Sequence, residues 1–240
     1  MKEVAIIGTG TMGSAIKEQL QGNFMVSGFG REDDLAGLQG SDVVIICVKP
    51  QSFPILAQTL RLHINQQFIV SIMAGATLPS LIESLGTDRV VRTMPNLALA
   101  TSQGMTAWYT QTKDVGLDAI QTILGTWGSS LRLESEEQFD AFTALAGSGP
   151  AYYFQLAHLL EQAAVGQGFT TEQARQMSLQ IFRGAASVID DNDSAEAWVR
   201  RVASKGGTTE AALRVLSDNQ LGRVIDAAVE VAAARSRELG

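Results

Sequence analysis

An apolar run, residues 4–7, ends on Gly8-Thr9-Gly10-Thr11-Met12-Gly13, and a helical pattern follows at once. This G-x-G-x-x-G spacing between strand and helix constrains the fold more than any other feature of the chain. The first glycine permits a tight turn, the second lets a pyrophosphate approach the backbone, and the third lets helix pack on strand. The helix N-terminus adds a partial positive charge for the phosphates. Any tight strand-to-helix turn can use glycine, so the motif needs this context. With it, residues 8–13 read as the phosphate-binding turn of a dinucleotide site.

The surrounding pattern agrees. Short apolar runs at 3–8, 24–30, 42–48, 68–75, 89–94, 104–110 and 129–134 read as strands. The early ones are continuously apolar, as parallel strands buried on both faces are. Helical patterns lie between them at about 11–21, 53–62, 78–85 and 114–126, with Pro54 and Pro79 suited to a first helical turn. This alternation predicts a Rossmann-type doubly wound sheet over residues 1–135. From Glu136 the strand signals stop, and 136–240 read as all-helical, with Thr170 and Gln173 spaced as a capping box. The fold class is therefore α/β, a doubly wound sheet shortened after its second strand and followed by a helical domain.

Composition narrows the function. The chain is 45% apolar and 18% charged, as soluble globular proteins are. Its net charge of −7, without a basic run, argues against nucleic acid or an anionic membrane as partner. The apolar run after Lys2 is too short for a secretion signal or a membrane span. Cys47 is the one cysteine, lies inside VVIICV, and reads as a buried thiol in a reducing compartment, which suggests the cytoplasm. His63 and His158 read as structural, and no His, Cys or carboxylate cluster has metal-ligand spacing, so no metal is expected.

The residue after the second strand discriminates the dinucleotides. An acid there binds the ribose hydroxyls of NAD, and an arginine accommodates the 2′-phosphate of NADP. Here Arg31 comes first, followed by Glu32 and Asp33. Arg31 favours NADP (NADPH) and leaves NAD open; the alternative is a solvated helix start, which the two acids suit. Just 11 residues, 31–41, then lead to the next strand. A crossover needs about a dozen residues including its helix, so one short helix at about 33–38 fits and a further strand does not. The adenine end of the site is expected to be open.

Six segments then converge: AIIGTGTMGSAI, VVIICVKPQ (43–51), SIMAGAT (71–77), RTMPN (92–96), ALAGSGPAYYF (144–154) and VASKGGTTEAAL (202–213). In this order the chain closely resembles the pyrroline-5-carboxylate reductase family over nearly its whole length. The last two segments are the most specific. The resemblance implies NAD(P)H-dependent reduction of 1-pyrroline-5-carboxylate to L-proline, the last step of proline biosynthesis. It also implies homodimers built through the helical domain, often assembled into decamers. There are departures. Family members are usually longer, many have Thr-Pro where this chain has Leu97-Ala98, and many have Pro where Lys205 stands.

The implied chemistry suits the residues. A protonated cyclic imine is already electrophilic, so the protein has to hold it against the nicotinamide and bind its carboxylate, with little acid–base power. By resemblance, Ser204 and the backbone of Gly206, Gly207 and Thr208 hold the carboxylate. The resemblance also implies that Thr209 stands near the imine nitrogen and donates or relays a proton. The bland alternative is a capped helix after a glycine turn. Also by resemblance, Val48, Lys49 and Pro50 line the nicotinamide–ribose region with Ala74, Gly75 and Asn96. Lys49 reads otherwise as a surface charge. Gly147-Ser148-Gly149-Pro150 reads as a helix start or as a close backbone approach to the cofactor and dimer seam. Arg200 and Arg201 read as a substrate-attracting pair or as a solvated face, and the Ala-rich last helix as a subunit interface.

Two other functions compete. A related imine or hydroxy-acid dehydrogenase needs an acid–base lysine on a helix of the second domain. The one lysine after Lys113 is Lys205, in the glycine loop, which counts against it. A non-enzymatic paralogue that binds cofactor or proline for regulation would not need the intact SKGGTT.

Overall fold

The structure, a computed structural model, describes residues 2–113, 116–190 and 192–239. The chain divides into two compact units, Met1–Pro150 with Glu230–Gly240, and Ala151–Val229.

Among the described residues of the first unit, seven strands form one sheet: β1 (Glu3–Ile7), β2 (Met25–Phe29), β3 (Val43–Ile46), β4 (Phe68–Ser71), β5 (Val90–Pro95), β6 (Gly104–Tyr109) and β7 (Gly128–Arg132). Their order is β2-β1-β3-β4-β5-β6-β7. Helices α1 (Thr11–Leu20), α2 (Phe53–Leu60), α3 (Leu78–Leu85) and α4 (Leu117–Gly125) lie between them in sequence. The expected helix at 114–126 has its first two positions outside the described residues. Pro54 and Pro79 sit in first turns, where a missing N–H costs nothing.

The sheet is buried on both faces. Val4 and Ile6 of β1 pack with Ile16 and Leu20 of α1 and Ile120 and Ile123 of α4. Ala5 and Ile7 pack on the other side with Ala57 and Leu60 of α2 and Leu78 and Leu81 of α3. Alternate side chains of a strand point to opposite faces, so two cores require the unbroken apolar run. Each of these Val, Ile and Leu side chains, fully buried, contributes roughly 1.5–3 kcal/mol.

Two details depart from a uniformly parallel, helix-connected sheet. β5 and β6 pair antiparallel, Arg92 opposite Tyr109 and Pro95 opposite Thr106. The eight residues 96–103 that join them are too few for a parallel crossover, which needs about a dozen. Between β2 and β3, the one short helix expected at about 33–38 is a 3-10 helix at Leu35–Gly40. Asp34 caps it by accepting from the Ala36 N–H at 2.9 Å, and Leu35 and Leu38 anchor it in the core. A Cβ on Gly37 would approach the Phe29 ring to 3.1 Å, so the turn lies tight against β2. With no strand beyond it, β2 is the sheet edge.

A buried ion pair ties the sheet to the segment after β7. Nη1 of Arg92 donates to Oε1 of Glu136 at 2.6 Å, and the same oxygen accepts the backbone N–H of Leu78 in the first turn of α3. The guanidinium also lies 4.2 Å over the Phe139 ring. Phe139 lies in the first turn of α5 (Gln138–Phe142), which runs into a π-turn at Thr143–Gly147, where the Ser148 N–H donates to the Thr143 carbonyl at 2.8 Å.

The second unit is helical, drawing on α6 (Gly149–Gly166), α7 (Thr171–Val188), α8 (Ala195–Val202), α9 (Thr208–Asp218) and α10 (Leu221–Leu239). The capping box forms: Gln173 N–H donates to Thr170 Oγ1 at 3.2 Å, and Thr170 N–H to Gln173 Oε1 at 3.0 Å. Ser178 Oγ donates to the Ala157 carbonyl at 2.7 Å and joins α7 to α6. Among the described residues from 151 to 229, Ala157, Ala174 and Ser178 alone are buried. Phe154, Leu156, Ile181, Val202 and Val224 are each more than half exposed. Among the described residues no helix is long and apolar enough to cross a membrane.

Candidate active site

The glycine-rich turn joins β1 to α1, and its three glycines stand in three different surroundings. Gly8 has φ +96°, and a Cβ on it would lie 2.7 Å from the Cys47 carbonyl oxygen. A Cβ on Gly13 would lie 1.9 Å from the Gly8 carbonyl oxygen. Around Gly10 a Cβ would meet nothing within 4 Å. Packing therefore demands glycine at 8 and 13 but not at 10, whose open face suits an approaching ligand. Gly10 is the N-cap of α1 without a side-chain cap, and the first intrahelical bond is Ser14 N–H to the Gly10 carbonyl at 2.8 Å. The N–H groups of Thr11, Met12 and Gly13 precede that bond and are left as donors. Thr9 is braced by Ser14 Oγ, which donates to its carbonyl at 3.0 Å.

β1 lies between β2 and β3, so the chain reverses its direction of progress across the sheet there, and ligands of such sheets bind at that switch beyond the strand C-termini. The expected cofactor residues gather along this edge because β1–β5 are parallel. Gly8–Gly13 follow β1, Arg31 follows β2, and Val48, Lys49 and Pro50 follow β3. Ala74 and Gly75 follow β4, Gly75 with φ +79°, and Asn96 follows β5. Lys49 and Ala74 are exposed, Val48 and Asn96 half-buried. Cys47 borders the turn, and burial pushes its thiol up to about 12. The group is neutral at physiological pH and a poor nucleophile.

Arg31 is exposed and has no ion-pair partner among the described residues. Asp33 is engaged: its Oδ2 accepts the Gly30 N–H at 2.7 Å, folding the carboxylate back onto the end of β2. Asn96 has a structural duty too. Its Nδ2 donates to the Ala146 carbonyl at 3.0 Å, and its Oδ1 accepts the N–H groups of Ala98 and Met105, both at 3.2 Å. Asn96 thus fixes the end of β5, the start of β6 and the π-turn. That turn, which periodicity does not reveal, is of a kind that often marks functional sites.

The glycine loop belongs to the second unit. Gly206 adopts φ +74°, and Gly207 N–H donates to the Ser204 carbonyl at 3.0 Å. A Cβ on Gly207 would lie 2.5 Å from Ser204 Oγ, so any side chain there displaces the Ser204 hydroxyl. Gly207 is the N-cap of α9 and has no side chain to cap it. Thr208 and Thr209 occupy the first two helical positions, where N–H groups have no intrahelical acceptor. Ser204, Lys205 and Thr208 are exposed and Thr209 is half-buried. Sequence reasoning missed Glu210, whose Oε2 accepts the Gly206 N–H at 2.6 Å. That N–H, expected to hold substrate, is thereby taken, and the donors of Thr208 and Thr209 remain. Arg200 pairs with Glu196, and Arg201 pairs with Asp193 and stacks 4.2 Å over Trp198. Among the described residues no three His, Cys, Asp or Glu side chains gather as metal ligands.

These features have close counterparts. Residues 136–239 match the family model described as pyrroline-5-carboxylate reductase dimerisation. A pyrroline-5-carboxylate reductase of Pseudomonas aeruginosa is 36% identical over 213 residues, 87% of this chain and 78% of that protein. The structure of a pyrroline-5-carboxylate reductase from Coxiella burnetii superposes with a TM-score of 0.92 at 27% identity, covering 100% of this chain and 98% of that one. The Plasmodium falciparum pyrroline carboxylate reductase structure with NADP bound shares the fold, with a TM-score of 0.85 at 21% identity over 100% of this chain and 98% of that one. With two glycine motifs, a switch-point sheet and this identity over most of its length, the chain belongs to the pyrroline-5-carboxylate reductase family.

Proposed function

We propose that the protein reduces 1-pyrroline-5-carboxylate to L-proline with NADPH, as a homodimer in the cytoplasm. The observation that carries this is the glycine loop, where a side-chain-free N-cap leaves the N–H groups of Thr208 and Thr209 for a carboxylate, in a chain of this family. Ser204 Oγ adds a hydroxyl donor beside them. Thr209 stands by the imine nitrogen and relays its proton.

The residues beyond β1–β5 fit a dinucleotide. The first turn of α1 and the open face of Gly10 receive the pyrophosphate, and Val48, Lys49, Pro50, Ala74, Gly75 and Asn96 border the nicotinamide ribose. When bound, the reduced nicotinamide supplies a hydride to the imine carbon, while the C=N π-electron pair moves to the protonated nitrogen. With Asp33 folded onto Gly30, exposed Arg31 is the cation that follows β2 and can meet a 2′-phosphate, which supports NADPH over NADH. The exposed apolar side chains and sparse burial of residues 151–229 support self-association through the helices. The single thiol, with no disulfide to maintain, suits the cytoplasm.

The test is NADPH oxidation with 1-pyrroline-5-carboxylate, with the oligomeric state measured by light scattering. Turnover that falls in Thr209→Ala supports the assignment. Folded protein that binds NADPH but turns over nothing refutes it.

A further inference from the structure

The turn into α9 is half of a capping box. In the complete motif, the N-cap side chain accepts an N–H of the first turn, and a Glu three residues on accepts the N-cap N–H. Here the Glu is present at the third helical position, Glu210, and the N-cap is Gly207. Because the Gly207 N–H already donates to the Ser204 carbonyl, Glu210 reaches one residue further and accepts the Gly206 N–H at 2.6 Å. The half that steadies the loop is kept, and the half that would fill the helix N-terminus is absent.

Gly206 sits at φ +74°, a conformation that glycine reaches easily but does not by itself prefer. A charge-assisted hydrogen bond to its N–H selects that conformation from the others open to a glycine pair. We propose that Glu210 is a positioning residue of the substrate loop, holding Gly206 left-handed so that the N–H groups of Thr208 and Thr209 stay open to the carboxylate of a cyclic imino acid. This rests on the loop being the substrate site. Glu210 itself touches neither substrate nor cofactor, and it acts through the backbone of Gly206.

The test is steady-state kinetics on the full chain, with titration calorimetry of L-proline as a readout that needs no turnover. Glu210→Ala is expected to raise the KM for 1-pyrroline-5-carboxylate and the Kd for proline about tenfold, with kcat and the NADPH KM changed less than about twofold. Glu210→Gln keeps an acceptor for the Gly206 N–H and is expected to restore both constants to near wild type. Unchanged constants in Glu210→Ala overturn the proposal, and so does a Gln variant as impaired as the Ala variant. Gly207→Ala, whose Cβ would strike Ser204, separates the role of Glu210 from that of the loop. If it raises the substrate KM while Glu210→Ala does not, the role of Glu210 falls and the site stands. If it leaves KM and Kd unchanged, the loop is not the substrate site, and both fall. Melting temperatures of all three variants confirm that the comparison is between folded proteins.

Discussion

Gly13 packs so closely on Gly8 that a Cβ on the former would lie 1.9 Å from the carbonyl oxygen of the latter. An alanine inside a helix normally gains about 1 kcal/mol over glycine. Forcing a methyl against fixed backbone costs about 3 kcal/mol or more, so the clash wins. Gly13→Ala is expected to lower the melting temperature, and Gly8→Ala, strained at φ +96°, to do the same. Gly10→Ala is expected to melt like wild type yet lose NADPH affinity. Calorimetric melting and NADPH titration of the three variants check this, and a Gly10 variant that binds normally would remove the pyrophosphate from this turn.

On the proposed function, the loop after β2 sets the dinucleotide preference. Arg31→Ala is expected to lower kcat/KM for NADPH about tenfold, the size of a lost charge-assisted contact, and to leave NADH nearly unchanged. Asp33→Asn keeps an acceptor for the Gly30 N–H and removes the negative charge, so it is expected to tighten NADPH binding. Equal losses with both dinucleotides in Arg31→Ala would mean that Arg31 does not meet the 2′-phosphate.

Arg92 and Glu136 show how much a fold of this kind stakes on one pair. Their side chains are 10% and 18% exposed, so removing either leaves a largely buried charge alone. Arg92→Ala is expected to cost about 3–5 kcal/mol in urea denaturation. The double variant Arg92→Met with Glu136→Gln removes both charges but retains an acceptor for Leu78, and is expected to recover most of that loss.

The Cys47 thiol gives a pH signature. Burial raises it from an ordinary value of 9.0 to about 12. The folded state thus binds the proton more tightly than the unfolded chain. Its contribution is complete below about pH 9 and fades as pH rises towards about 12. Unfolding free energies measured from pH 7 to pH 11 are expected to fall more steeply in wild type than in Cys47→Ala. At pH 8 a disulfide reagent is expected to label the thiol only after denaturation.

Much of this was legible in the residues. Apolar runs located β1, β3, β4 and β5, because buried strands write their burial locally, and strand patterning also located β6 and the more exposed β2 and β7. The glycine spacing located the turn after β1. What stayed hidden was non-local or side-chain specific. Arg92 and Glu136 are separated by 44 positions, and no periodicity joins them. Glu210 is a first-turn acid, and its bond to Gly206 depends on a left-handed residue next to the N-cap, which the sequence does not display. The π-turn at Thr143–Gly147 adds one residue to a helical turn, a change that composition does not register. The β5–β6 reversal was within reach, since eight linking residues exclude a parallel return.

β2 contributes partly buried Val26 and Phe29 to the two cores, while β1, β3 and β4 supply much of the fully buried apolar wall. The sheet therefore has a margin at which length is negotiable. A strand–helix unit spliced between Gly30 and Ser41 would extend that margin, and the one part of the cores it would touch is the part that Leu35 and Leu38 fill. In an ancestral series, gain or loss of such a unit is expected to change the grip on the adenosine end of the proposed dinucleotide and leave the residues after β3, β4 and β5 untouched, so the two ends of that proposed cofactor site are free to evolve at different rates.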